Sequence, residues 1–145
     1  HLTNQTKQYL KSKKMTGFII GLITTTAIIA FAEIFRKIDL KFYASLNLAT
    51  IPFIYIGFSI DLHTLMLTVP GAAFFLLFAY WGYKKHYMFT VAGLALHGLW
   101  DVIFTHVSSV APHGYDVFCI TIDELLAVYF WIKFKPGKNQ KSYQE

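Results

Sequence analysis

Five apolar runs, each close to the length that crosses a bilayer and separated by short polar breaks, leave this chain few ways to fold. They cover residues 17–35, 42–60, 62–83, 87–107 and 117–132. A bilayer core needs roughly 20 apolar residues per helix, so the last run is the shortest that serves, and only if it stands nearly upright or thins the bilayer. Inside lipid every backbone group must be satisfied within the protein, which makes runs this apolar helices rather than strands of a barrel. The expected fold is all-α, a polytopic integral membrane bundle of five transmembrane helices. It forms a single domain over residues 15–135, with a polar leader or extension at 1–14 and a basic tail at 136–145. Pro52 and Pro70 fall inside the second and third runs, where each frees a carbonyl and can kink its helix.

Composition agrees with lipid. Of 145 residues 55% are hydrophobic and 14% charged, against about 25% charged in soluble chains. A single cysteine, Cys119, excludes a disulfide scaffold and a Cys-rich metal protein. The net charge of +5 is explained by topology rather than by a nucleic-acid partner. Arg36, Lys37, Lys41, Lys84, Lys85, Lys133, Lys135, Lys138 and Lys141 fall on one side of the expected membrane, and only Lys7, Lys11, Lys13 and Lys14 on the other. The positive-inside rule then places the chain in the cell inner membrane with its N-terminus outside and its C-terminus cytoplasmic. Tyr80, Trp81, Tyr83, Tyr129 and Trp131 would form an inner aromatic belt beside those lysines. A competing reading treats the first run, with Ala30-Phe31-Ala32, as a cleavable signal peptide.

The chemistry concentrates on the fourth and fifth runs. Thr90, Gly93, His97, Asp101, Thr105 and Ser108 follow helical spacing and make one polar or small stripe along the fourth. Asp116, Cys119, Asp123 and Ala127 make a matching stripe on the fifth, with Glu124 about 100° away. A carboxylate facing lipid costs on the order of 2.5 to 3.5 kcal/mol, so both stripes must face protein or a cavity. Asp101 and Asp123 each lie about six residues, or ~9 Å, from the outer ends of their runs and meet at one depth. The expected centre is His97, Asp101 and Asp123, joined by His113 from the connecting loop. His106 and Glu124 fit less well, His106 because it points roughly 180° away from His97 on a regular helix.

Three functions compete for these residues. The group binds a divalent metal such as zinc and hydrolyses a lipid-like substrate; or it works without metal as an acid–base isomerase, or as a lipid or small-molecule binding or transport protein; or it ties helices together in a non-catalytic accessory subunit. Partners follow from the setting: membrane lipids, a lipophilic substrate, a second copy of the chain or a larger membrane complex, and no nucleic acid. Elsewhere, Glu33 is expected to pair locally with Arg36 or Lys37, and Gly17-x-x-x-Gly21 to let two helices approach.

His97-Gly98-Leu99-Trp100-Asp101, followed by Phe118-Cys119-Ile120-Thr121-Ile122-Asp123, resembles the His-x-x-x-Glu and later Cys-x-Glu pattern of the emopamil-binding sterol isomerase family, which also has five spans. Here both matching acids are Asp and the motifs sit on helices four and five instead of two and three, so no sterol isomerase activity is carried over. From Met15 to about Lys135, the same residues with His106, a Pro-containing loop and Asp123 also resemble a family of small, mainly bacterial, integral membrane proteins of unknown function. That likeness implies a shared membrane fold and supplies no activity.

Overall fold

A computed structural model describes residues 4–35, 37–59, 61–107, with side chains to 105, and 112–135. All regular structure among them is helical: α1 (Asn4–Ile34), α2 (Leu40–Thr50), α3 (Phe53–Phe58), α4 (Leu62–Lys84), α5 (Met88–Val107) and α6 (Tyr115–Phe134). Arg36, Ile60, the segment 108–111 and the tail with Lys138 and Lys141 lie outside the described residues.

Helix boundaries follow the polar breaks. Asp39 caps α2 by accepting from the Lys41 and Phe42 amides at 2.9 and 3.3 Å. Asp61 caps α4, accepting from the Thr64 amide at 2.9 Å and the Thr64 hydroxyl at 2.6 Å. The second apolar run is broken. Ile51 and Pro52 keep helical dihedrals, but Pro52 has no N–H for the carbonyl four residues back. The chain restarts through a tighter turn, Ile54 N–H to Ile51 O at 3.1 Å. Pro70, by contrast, is absorbed within an unbroken α4. The polar leader is continuous with α1, whose first three turns it forms.

Around the bundle α1 packs on α6, α6 on α5, α5 on α4 and α4 on α2. Gly17 and Gly21 lie where α1 meets α6, Gly17 against the Gly114 backbone and Gly21 against Thr121 and the Phe118 carbonyl. Gly114 itself takes a left-handed φ of 90°, which turns the chain into α6. Thr25, Thr68 and Thr121 return their hydroxyls to carbonyls one turn back, so they occupy buried positions without leaving a polar atom unpaired. The apolar core joins Ala44, Leu48, Phe75, Leu94, Leu126 and Phe130.

Large apolar side chains also cover the outside, among them Ile23, Met66, Leu99, Ile103 and Ile132, each more than half exposed. Three helices, α1, α4 and the 88–105 part of α5, are long and apolar enough to cross a membrane by length and composition. The other two expected spans differ for stated reasons: one is split at Pro52 into helices of 11 and 6 residues, and α6 carries Asp116, Asp123, Glu124 and Lys133 among its 20.

One end of the bundle is basic and aromatic. Lys84, Lys85, Lys133 and Lys135 sit 5.0 to 5.8 Å over the rings of Tyr83, Trp81, Tyr129 and Trp131. At this end Glu33 accepts from Lys133 at 2.5 Å and from the Tyr129 hydroxyl at 2.7 Å, bonding α1 to α6 rather than making only a local pair with its own helix. The partner comes from another helix because α6 packs alongside α1 and ends level with it.

Candidate functional site

On α5 the core residue Leu94 is followed, one turn toward the opposite end, by His97 and then Asp101. On α6 the order is mirrored: Leu126 belongs to the core and Asp123 lies one turn further from the basic end. Helical spacing therefore brings three ionisable side chains together just beyond the apolar core, and all three residues are fully buried.

His97 Nδ1 and Asp123 Oδ2 are hydrogen-bonded at 2.7 Å, and Nδ1 stands 3.6 Å from Asp101 Oδ2. One ligand atom from each residue lies within 4.8 Å of the others, so the group could hold a metal ion. The two distances have different meanings. Two ligands of one tetrahedral zinc, each about 2.1 Å from it, sit roughly 3.4 Å apart. The separation of His97 Nδ1 from Asp101 fits that spacing when Nδ1 itself is the ligand atom, while 2.7 Å to Asp123 is a hydrogen-bond length. The two uses of Nδ1 exclude each other: without a proton it can face a metal, and with one it donates to Asp123 and leaves the free lone pair on Nε2 to act as a base.

What distinguishes this group from plain helix packing is its unsatisfied polar atoms. His97 Nε2, both oxygens of Asp101, Asp123 Oδ1 and the Tyr55 hydroxyl are buried without a hydrogen-bond partner. Each such group costs about 1 to 3 kcal/mol, and native folds keep few of them. Five on four side chains of one neighbourhood mark a place shaped for something polar or charged. Tyr55 comes from α3, which is tied to α4 by the Ser59 to Thr68 hydroxyl contact at 3.2 Å. Sequence periodicity had given no reason to single it out.

The other expected members are elsewhere. His113 is exposed in the turn before α6, and Glu124 is exposed beside Gly98 at the rim of the α5–α6 contact. The His106 side chain lies outside the described residues. Cys119 is a buried free thiol one turn from Asp123.

Phe75 closes the site toward α4, its ring edge-on to His97 at 4.7 Å. Its other side lines an apolar groove of about 640 Å³ between α4 and α5, bordered by Met66, Pro70, Gly71, Phe74 and Trp100. The groove runs alongside the same turns of α5 that carry His97 and Asp101.

No curated protein and no solved structure matches this chain, so the sterol isomerase likeness rests on its motif alone. A family profile does match, over residues 16–136, which takes in α4, α5, α6 and the whole His97, Asp101 and Asp123 group: the chain belongs to a family of unknown function (DUF6010).

Proposed function

We propose that the protein is a five-pass membrane bundle whose His97, Asp101 and Asp123 hold a divalent metal ion, and that this centre hydrolyses a lipid-like substrate. The observation that carries the reading is the set of buried, unpartnered polar atoms on those three side chains. Two carboxylates and a neutral imidazole balance a doubly charged ion, so the filled centre adds no net charge to an apolar interior, where an unpaired charge is costly. A metal there supplies Lewis acidity and a nucleophile from water. The protein's own part is to bring the three ligands together from α5 and α6, exclude bulk water and present the groove beside Phe75 to an apolar chain. In this reading the bundle lies in the inner membrane, N-terminus outside, with the site opening toward the outer side, and lipids are its first partners.

The test is elemental analysis of detergent-purified protein prepared without chelators, comparing wild type with Asp101→Asn and His97→Ala. The expected result is near-stoichiometric metal in the wild type and loss in both variants. Folded wild-type protein free of metal would overturn the reading.

The 2.7 Å bond between His97 and Asp123 favours one second reading, a metal-free acid–base centre in which Asp123 orients the ring and Nε2 exchanges a proton with a lipophilic substrate. It takes over if metal is absent and Asp123→Asn still abolishes turnover.

A further inference from the structure

Tyr55 brings a polar atom to the site from a third helix. The residue is 3% exposed, and its ring packs edge-on to Phe104 at 4.8 Å and to Tyr115 at 6.2 Å, with the His97 ring at 6.4 Å. Packing on several sides fixes where the hydroxyl points. That hydroxyl lies close enough to the Asp101 carboxylate to interact with it, yet neither it nor either Asp101 oxygen makes a hydrogen bond of ordinary length and angle. A donor and an acceptor that face each other without closing to an ordinary hydrogen bond are arranged as groups are around a third body.

We propose that Tyr55 is a fourth ligand of the His97, Asp101 and Asp123 site and that the cation it selects is iron(III). The inference rests on the metal-centre reading above and revises its ion from divalent to trivalent, Tyr55 supplying the third negative charge. The donor set becomes one imidazole nitrogen and three oxygens, a hard set suited to a small, highly charged ion rather than to one that prefers thiolate. Charge agrees with this choice. Two carboxylates and one phenolate balance three positive charges with the imidazole neutral, so the filled centre is uncharged in an apolar surrounding. Ligation replaces the phenol O–H bond with an O–Fe bond and releases the proton to solvent, as bound cations enforce on acidic ligands. Cys119, the nearby soft donor, is not needed.

The full chain, purified in detergent and stripped with a chelator, is loaded with iron(III) supplied as its nitrilotriacetate complex, and in parallel with zinc, then desalted. Wild-type protein is expected to retain iron and to show a visible tyrosinate-to-iron charge-transfer band with tyrosinate ring modes in resonance Raman spectra. Tyr55→Phe keeps the ring and its packing but should lose the band, with iron affinity falling at least about tenfold. Tyr115→Phe should keep both. Retained iron without the band, or a band unchanged in Tyr55→Phe, overturns the role of Tyr55 and leaves the metal centre standing. Retention of zinc alone does the same, whereas retention of neither metal overturns the centre as well.

Discussion

At the scale of single residues, the site is defined by what its polar atoms lack, and metal removal tests that directly. A ligand bound only by the native state stabilises it by roughly 2.7 kcal/mol at a hundredfold excess over Kd. Dialysis against a chelator should therefore lower the melting temperature of the wild type in detergent and leave Asp101→Asn unchanged, as followed by circular dichroism; equal shifts in both would remove the link between metal and this site. A second residue-scale expectation concerns Asp61, in the polar break before α4. Hydrogen bonds from the Thr64 hydroxyl and amide hold its carboxyl below the usual carboxylate range near 3.9. A group with a lowered folded pKa contributes stability above the unfolded value and loses it as pH falls through the folded one. Amide exchange at Thr64 should accelerate relative to the middle of α4 once pH drops below about 4, and Asp61→Asn should abolish that dependence. His97, Asp101 and Asp123 were legible in the sequence because a polar stripe in an apolar run cannot face lipid. Tyr55 was not, since an aromatic residue in such a run reads the same whether it faces lipid or a site. His113 was illegible for another reason: outside a helix no period fixes where a side chain points.

At the scale of elements, the closest approaches decide the architecture. Glycine on α1 lets its backbone reach α6, and a Cβ built on Gly21 would stand 2.9 Å from Thr121 Cβ and 3.0 Å from the Phe118 carbonyl oxygen. Gly21→Leu should push the helices apart at a cost of about 1 to 3 kcal/mol, the usual range for overpacking. Gly57→Ala, where nothing lies within 4 Å, should be neutral or slightly stabilising. Thermal unfolding in detergent reads both, and a Gly21→Leu protein as stable as wild type would show that the contact is not tight. The spacing of Gly17 and Gly21 made this approach visible in advance. The pairing of Glu33 with Lys133 was not visible, because sequence displays neighbours one turn apart and hides a partner 100 positions away that only the packing of α1 on α6 supplies.

At the scale of the whole molecule, the two ends differ, and that difference is what a test of the proposed topology reads. Lys84, Lys85, Lys133 and Lys135 gather with Tyr83, Trp81, Tyr129 and Trp131 at one end, as interfacial cations and aromatic rings do at a cytoplasmic face. The opposite end holds the turn at Gly114 against the Lys13 backbone, with the first turns of α1 extending past it. Insertion with the basic end inside places Ser12 outside and Lys135 in the cytoplasm. Single cysteines at these exposed positions separate the two orientations, because the native Cys119 is only 4% exposed and should stay silent. In intact cells a membrane-impermeant maleimide should label Ser12→Cys at once and Lys135→Cys only after lysis. The reverse pattern would invert the bundle and turn the site toward the cytoplasm. Labelling of both in intact cells would mean that the chain does not cross, and the exposed apolar faces of α1, α4 and α5 would then need a protein partner in place of lipid.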